Sequence, residues 1–225
     1  MTKHMVKNIN IMISSVLVLF LALSLNGPIQ AESKKSAAQK NLPAINDILA
    51  DRVLGQKNAA ITIIEYASMT CPHCAEFHAG PFQTLKKEYI ETGKVKFIYR
   101  DYPLDRLALA AAMMARCAPK ERYYPIIEII YRTQENWAKQ ADPTAALSQI
   151  GLLSGISKDA YDNCLRNKEI YEGVMKIRNE GGEKFNIQST PTILMNEKKI
   201  NGNITSKNLR LTLDAQINKL QKATR

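Results

Sequence analysis

Ile61-Thr62-Ile63-Ile64-Glu65-Tyr66-Ala67-Ser68-Met69-Thr70-Cys71-Pro72-His73-Cys74 is the stretch on which the reading of this chain turns. An apolar, β-rich run from Ile61 to Tyr66 gives way to a helical pattern, and two cysteines separated by two residues stand at the changeover. That placement is the sequence form of a dithiol redox centre. The first thiol falls at a helix N-terminus, where unpaired backbone N–H groups and the helix macrodipole favour negative charge on Cys71. A thiolate there is both a ready nucleophile and a good leaving group. A disulfide across so short a gap is tight and reducible, suited to exchange rather than to stapling a large domain.

Upstream, Lys3 and Lys7 precede an apolar stretch from Ile11 to Leu25, and Gly27-Pro28 breaks it before the small residue Ala31. Residues 1–31 therefore read as a secretory signal peptide cleaved near Ala31. The alternative, an uncleaved anchor, is disfavoured because the run is short of the ~20 residues a membrane span needs. No cysteine near the cleavage site marks a lipoprotein. Residues 32–41, polar and rich in Lys, Ser and Ala, read as a flexible lead-in. The remainder is about one large domain's worth of chain, with enough apolar residues to bury its own core.

The formal net charge is +10, of which the leader's lysines carry part. The Lys and Arg residues are scattered among Glu and Asp and form no long basic block with interleaved aromatics, so a solvated basic surface is expected and a nucleic-acid partner is not. Attraction to an anionic membrane surface is the milder alternative.

All four cysteines, Cys71, Cys74, Cys117 and Cys164, lie beyond the leader. An even count in an exported chain suits disulfide chemistry, because thiols there are not held reduced. Zinc on Cys71, Cys74 and His78 is the rival explanation. A closed site needs a fourth ligand, and His73 lies too close in sequence to complete a tetrahedron. Covalent haem is excluded because Ala75, not histidine, follows Cys74. Neither metal nor cofactor is expected. Cys117 and Cys164 are either two buried free thiols or a second, structural disulfide, and an oxidising compartment favours the bond.

Periodicity predicts a short helix over Leu42–Asp51 and strands at Arg52–Leu54 and Ile61–Tyr66. The Cys71 helix should run to about Thr92 with a kink at Gly80-Pro81, because proline removes an N–H and crowds the preceding turn. Val95–Tyr99 is the next strand. From Leu104 to about Lys184 the period becomes 3.6, with helices at Leu107–Arg116, Tyr124–Tyr131, Thr144–Leu152 and Lys158–Leu165 and one carrying Ile170, Val174 and Ile177. Met113, Met114 and Trp137 read as core. Strands return at Thr192–Met195 and Lys199–Ile200 around a tight turn at Asn196-Glu197, and a helix with Leu209, Leu213, Ile217 and Leu220 on one face closes the chain.

This order resembles an α/β, thioredoxin-like fold with an inserted α-helical domain, and the chain is identified as similar to DsbA-type thiol:disulfide oxidoreductases. The resemblance is carried by Ile63 to Cys74, by Arg100-Asp101-Tyr102-Pro103-Leu104 and by Ser189-Thr190-Pro191-Thr192. It implies a thioredoxin-like domain from residues 42–103 and 186–225 and a helical insertion domain from 104–185. It makes Cys71 the exposed nucleophile, Cys74 the resolving thiol, and Pro72 with His73 the oxidant's form of the motif. A His73 cation is disfavoured by the helix dipole, yet a Cys71 thiolate beside it offers an ion pair or hydrogen bond. Each unit by which the Cys71 pKa falls stabilises the reduced form by roughly 1.4 kcal/mol, an effect of which the DsbA proteins are themselves the known extreme.

The resemblance also makes Glu65 a buried acid that relays the Cys74 proton, against the alternative of a surface carboxylate. Thr190-Pro191 becomes a cis-proline turn whose Thr190 backbone pairs with a substrate strand. The implied activity is disulfide donation to cysteine pairs of exported proteins through a mixed disulfide at Cys71. The implied location is the periplasm, and the implied reoxidant is a quinone-linked membrane protein of DsbB type. An isomerase or reductase of the same fold is the nearest alternative. The isomerases carry an N-terminal dimerisation domain for which the roughly twenty residues ahead of this fold leave no room, so a monomer is expected. A zinc module and a peptide-binding module without redox turnover are the alternatives from other classes.

Overall fold

Strand β2 (Ile61–Ala67) is buried along nearly its whole length, because the sheet flanks it on both edges and helices cover both faces. This computed structural model describes residues 42–223, so the leader and lead-in expected over residues 1–41 lie outside the described residues. β2 runs parallel to β3 (Val95–Asp101) and antiparallel to β4 (Thr192–Met195). β1 (Val53–Leu54) borders β3 and β5 (Lys198–Lys199) borders β4, both antiparallel, giving the order β1-β3-β2-β4-β5. The last strand lies one residue earlier than the apolar pattern predicts. Asn196 and Glu197 both take positive φ, 47° and 65°, and this two-residue turn pairs Met195 with Lys198.

The period of two along β2 sorts its residues between two cores. Ile61, Ile63 and Ala67 join Val95, Phe97, Tyr99 and Ile193 in the main core, whereas Ile64 and Tyr66 join Ile98, Tyr102 and Leu194 in another. Glu65 follows the first set and is fully buried. Helix α2 (Pro72–Ala79) contributes Cys74 and Phe77 to the same core. Gly80 breaks this helix and α3 (Pro81–Leu85) restarts it with proline at its N-terminus, before a π-helical turn at Lys86–Ile90. The kink thus stands where the sequence places it, and the helical run ends at Ile90.

The first helix, α1 (Ile45–Leu49), is shorter than its predicted span, since Ala50 is already extended. Between β3 and β4 the chain is helical: α4 (Arg106–Cys117), α5 (Tyr123–Arg132), α6 (Gln134–Ala138), α7 (Pro143–Leu153), α8 (Lys158–Arg166) and α9 (Lys168–Phe185). Side chains of Asp105, Asp142, Ser157 and Asn167 cap α4, α7, α8 and α9, accepting backbone N–H bonds that the first turns leave unpaired. Cys117, the last residue of α4, is bonded to Cys164 of α8 beside Ile48, Met113, Ile170 and Val174. Trp137, Met113 and Met114 are core residues.

Two of the contacts that fasten the sheet to the helical stretch are fully buried or closely fitted. Arg116 of α4 pairs with Asp101 of β3, both fully buried, while its guanidinium also donates to the Ile48 carbonyl. Gly181 of α9 lies on the Tyr66 ring, where a Cβ would come within 2.3 Å of Cε1. Helix α10 (Ser206–Ala223) closes the chain, burying Leu209 and Leu213. No described helix is long and apolar enough to cross a membrane.

Candidate active site

Cys71 caps the N-terminus of α2 in extended conformation, with Pro72 as the first helical residue. Its carbonyl accepts from the backbone N–H groups of Cys74 and Ala75, at 3.1 and 3.2 Å. Both thiols are free and both are buried, so Cys71 is not the exposed sulfur that the resemblance implies: it is only 7% exposed, with the Thr190 carbonyl against it. The two thiols have opposite acid–base character. The Cys71 thiol is lowered to about 5, first by the hydrogen bond from the Cys74 thiol, against the opposing effect of burial, and then by the Thr190 side chain and the backbone N–H groups of Cys74 and His73. The Cys74 thiol is pushed far up, by burial above all, then by that shared hydrogen bond and the negative charge of Glu65. One sulfur is built to carry charge and the other to keep its proton.

Across the site, the Thr190-Pro191 peptide is cis. Cys71 Sγ donates to the Thr190 carbonyl at 3.3 Å when protonated. The Thr190 hydroxyl is buried without a partner of its own, and it is the donor available when the sulfur is ionised. His73 is exposed and behaves differently from the sequence expectation. Its ring faces Glu76 at 3.1 Å rather than bonding the sulfur, because a carboxylate one turn along the helix is within easier reach. The Glu76 bond and charge raise the His73 pKa most, and the Cys71 charge raises it further. Its contribution to Cys71 is made through its backbone N–H.

Glu65 is fully buried, with Oε2 2.8 Å from His78 Nε2. The sequence suggests His78 only as a zinc ligand, a role that this bond leaves no free Nε2 to fill. The signal for its actual place is the spacing: one helical turn beyond Cys74, on the face of α2 turned to the sheet. Its ring is stacked on Tyr131 at 4.3 Å and lies 4.5 Å from Phe82, and the Tyr131 hydroxyl bonds that of Tyr99 at 2.8 Å.

Two further groups hold the loop before α2. Gln134, the first residue of α6, donates through Nε2 to the carbonyls of Met69 at 2.9 Å and Cys71 at 3.1 Å. Thr70 Oγ1 donates to Asp105 Oδ2 at 2.6 Å, while the other oxygen of Asp105 caps α4. No local pattern in the sequence marks Gln134, or the bond of Asp105 to Thr70, since both act across more than thirty residues. Beside α2 lies a cavity of about 630 Å³ lined by Pro72, Ala75, His78, Tyr131, Gln134 and neighbouring residues. Cys117 and Cys164 pack apart from these residues, with Ile48, Met113, Ile170 and Val174.

A family model described as thioredoxin matches residues 48–215. A Rickettsia typhi protein provisionally named a protein-disulfide oxidoreductase is 35% identical over 147 residues, covering 65% of this chain and 54% of that protein. The chain thus spans about half the length of this curated relative. Disulfide bond formation protein D of Bacillus subtilis is 27% identical over 158 residues, covering 66% of this chain and 68% of its own. Among solved structures, α-DsbA1 of Wolbachia pipientis superposes with a TM-score of 0.72 at 29% identity, over 84% of this chain and all of the other. With its dithiol at the head of α2, its cis-proline opposite and its helices between β3 and β4, the chain belongs to the thioredoxin family, in the DsbA-type branch.

Proposed function

We propose that this protein is an exported thiol:disulfide oxidoreductase that donates the Cys71–Cys74 disulfide to cysteine pairs of exported proteins. The observation that carries this reading is the division between the two thiols, Cys71 lowered to about 5 and Cys74 far raised. In the oxidised state a substrate thiolate attacks Cys71 Sγ, the Cys71–Cys74 bond breaks, and Cys74 leaves and takes up a proton. A second substrate thiolate attacks the substrate sulfur of the mixed disulfide and releases Cys71 as a thiolate. Two electrons pass from the substrate pair to the enzyme pair. Cys71 is a good leaving group because its charge is supported, so the equilibrium runs toward oxidised substrate.

Thr190 and Pro191 form the wall opposite Cys71, and the Thr190 main chain offers recognition tolerant of substrate side chains. Pro72 fixes the helix start, and Glu65 manages the Cys74 proton. Cys117–Cys164 is structural. On this reading the leader expected over residues 1–31 directs export to the periplasm, where the protein acts as a monomer without a nucleic-acid partner and is reoxidised by a quinone-linked membrane protein of DsbB type. Equilibration with a glutathione redox buffer, in wild type and in the Cys117→Ala/Cys164→Ala background, tests the reading. A strongly oxidising potential is expected; a value near thioredoxin's would replace the donor with a reductase or isomerase.

A further inference from the structure

The resolving thiol must gain a proton each time it leaves Cys71 and lose it each time it attacks, yet Cys74 is fully buried. Glu65 is near enough that its charge, when ionised, acts on Cys74, but it is just as thoroughly enclosed. A relay that ended there would have no exchange with water. Two atoms show where it continues. Glu65 Oε1 and His78 Nδ1 are both buried and both lack a hydrogen-bond partner, while Oε2 and Nε2 of the same side chains are bonded to each other at 2.8 Å. The pair therefore has one open polar atom at each end. His78 also lines the cavity of about 630 Å³ beside α2, a space large enough for several waters.

We propose that His78 is a positioning residue through which Glu65 exchanges the Cys74 proton with water in the cavity between α2 and α5. When Cys74 leaves as a thiolate, a protonated Glu65 releases the proton on Oε1 to the sulfur through an intervening water, since the two atoms are not hydrogen-bonded to each other. His78 Nε2 passes its proton to Oε2, and Nδ1 takes one from cavity water, leaving hydroxide that passes to bulk solvent. The pair ends with its charge unchanged and its proton on the other oxygen and the other nitrogen. The reverse sequence removes the Cys74 proton for attack on a mixed disulfide. The groups facing His78 are consistent with this path. Tyr99 of β3 and Tyr131 of α5 are held well above the ordinary tyrosine value by burial, so both stay neutral. Glu65 of β2 and Cys74 of its own helix are then the exchanging partners. Glu76, Arg132, Glu128 and Glu135 line the cavity further out. The stacked Tyr131 ring fixes the imidazole plane and keeps Nε2 on Glu65, while Nδ1 is unpartnered but buried, so its exchange with cavity water requires a local opening at the ring.

The inference rests on the redox role of Cys71–Cys74 but not on its direction. Its test is therefore the rate at which dithiothreitol reduces the disulfide, measured across pH in His78→Gln, Glu65→Gln and His78→Ala. His78→Gln keeps a donor to Glu65 but cannot pass a proton through its ring. It should slow reduction by about tenfold to a hundredfold, as expected for loss of an acid–base group, while the Cys71 thiolate absorbance titrates as in wild type. His78→Ala opens the site to the cavity, and added imidazole should restore its rate in proportion to concentration. A wild-type rate and pH profile in His78→Gln, or a folded His78→Ala that imidazole does not rescue, would overturn the relay. If His78→Ala does not fold, His78→Gln decides. A thioredoxin-like potential in the glutathione equilibrium would remove the donor reading and leave these rates as they are.

Discussion

Cys71 and Cys74 stand at the head of α2 as free thiols, whereas Cys117 and Cys164, 47 residues apart in sequence, are bonded between α4 and α8. Exposure does not separate the two pairs, for the cysteines are 7% and 0% exposed in the first and 5% and 0% in the second. The difference lies in what faces the sulfur. Cys71 meets the Cys74 thiol, the Thr190 side chain and two backbone N–H groups, all of which support negative charge. The other pair meets Ile48, Met113, Ile170 and Val174, with the Met113 carbonyl 3.0 Å from Cys164 Sγ. An acceptor and an apolar wall offer a thiolate nothing. On the proposed function, reactivity follows the donors around a sulfur, and the buried pair without them serves as a structural staple.

The sharpest way to break this contrast is to exchange the fates of the two pairs. Cys71→Ser should abolish oxidation of a reduced dithiol peptide, while Cys117→Ala/Cys164→Ala should leave the rate unchanged; a comparable loss in both would mean the second pair takes part in turnover. The same double variant should lose stability by up to about 4 kcal/mol in denaturant unfolding, the chain-entropy value for a loop of this length. An unaltered midpoint would remove the staple.

A third contrast is in pH dependence. Folding lowers Cys71 from an ordinary 9.0 to about 5, so its contribution to the reduced protein is fully present above pH 9 and is lost as pH falls through 5. Cys74 acts oppositely above pH 9, where the unfolded chain ionises it and the fold does not. Between pH 5 and 7 the stability of the reduced form should therefore rise by about 2 kcal/mol relative to the oxidised form, which has no Cys71 thiol to titrate. Parallel unfolding curves for the two forms across that window would contradict the assignment. The smallest expected change is Thr190→Val, which removes one donor. It should raise the Cys71 pKa by about one unit, near 1.4 kcal/mol, read from the thiolate absorbance. An unmoved titration would leave the Cys74 thiol and the backbone N–H groups as the only donors that matter.

What could be read from the sequence follows the range over which each feature is encoded. The buried β2 strand, the dithiol at a helix start, the Gly80-Pro81 kink and the helical run after β3 are local patterns of period, branching and punctuation, and all are present. Glu65 is legible as a buried acid from its place in an otherwise apolar strand and from the family resemblance. Its partner is not, since the spacing of His78 after Cys74 gives it the inner face of α2 but not the carboxylate it meets there, which is shown by the stacked Tyr131 ring and the bond to Glu65. The His73 ring was assigned to the sulfur from charge alone, whereas Glu76 competes for it from one turn away. Residue 185 likewise marks a change of pattern without marking a change of place: α9 carries Gly181 and Phe185 onto Tyr66 of the sheet.

The Gln134 amide reaches the carbonyls of Met69 and Cys71 from 65 and 63 residues away. The loop that presents the nucleophile is thereby completed by a residue of the helical stretch, and the strands and helices of the sheet portion do not define it by themselves. A minimal enzyme made by joining residues 42–103 directly to 186–225 would keep both thiols and the cis-proline but leave those two carbonyls without their shared donor. The inserted helices are in that sense one half of the mould in which the reactive sulfur is set, and variation in them is heritable variation in the chemistry of Cys71.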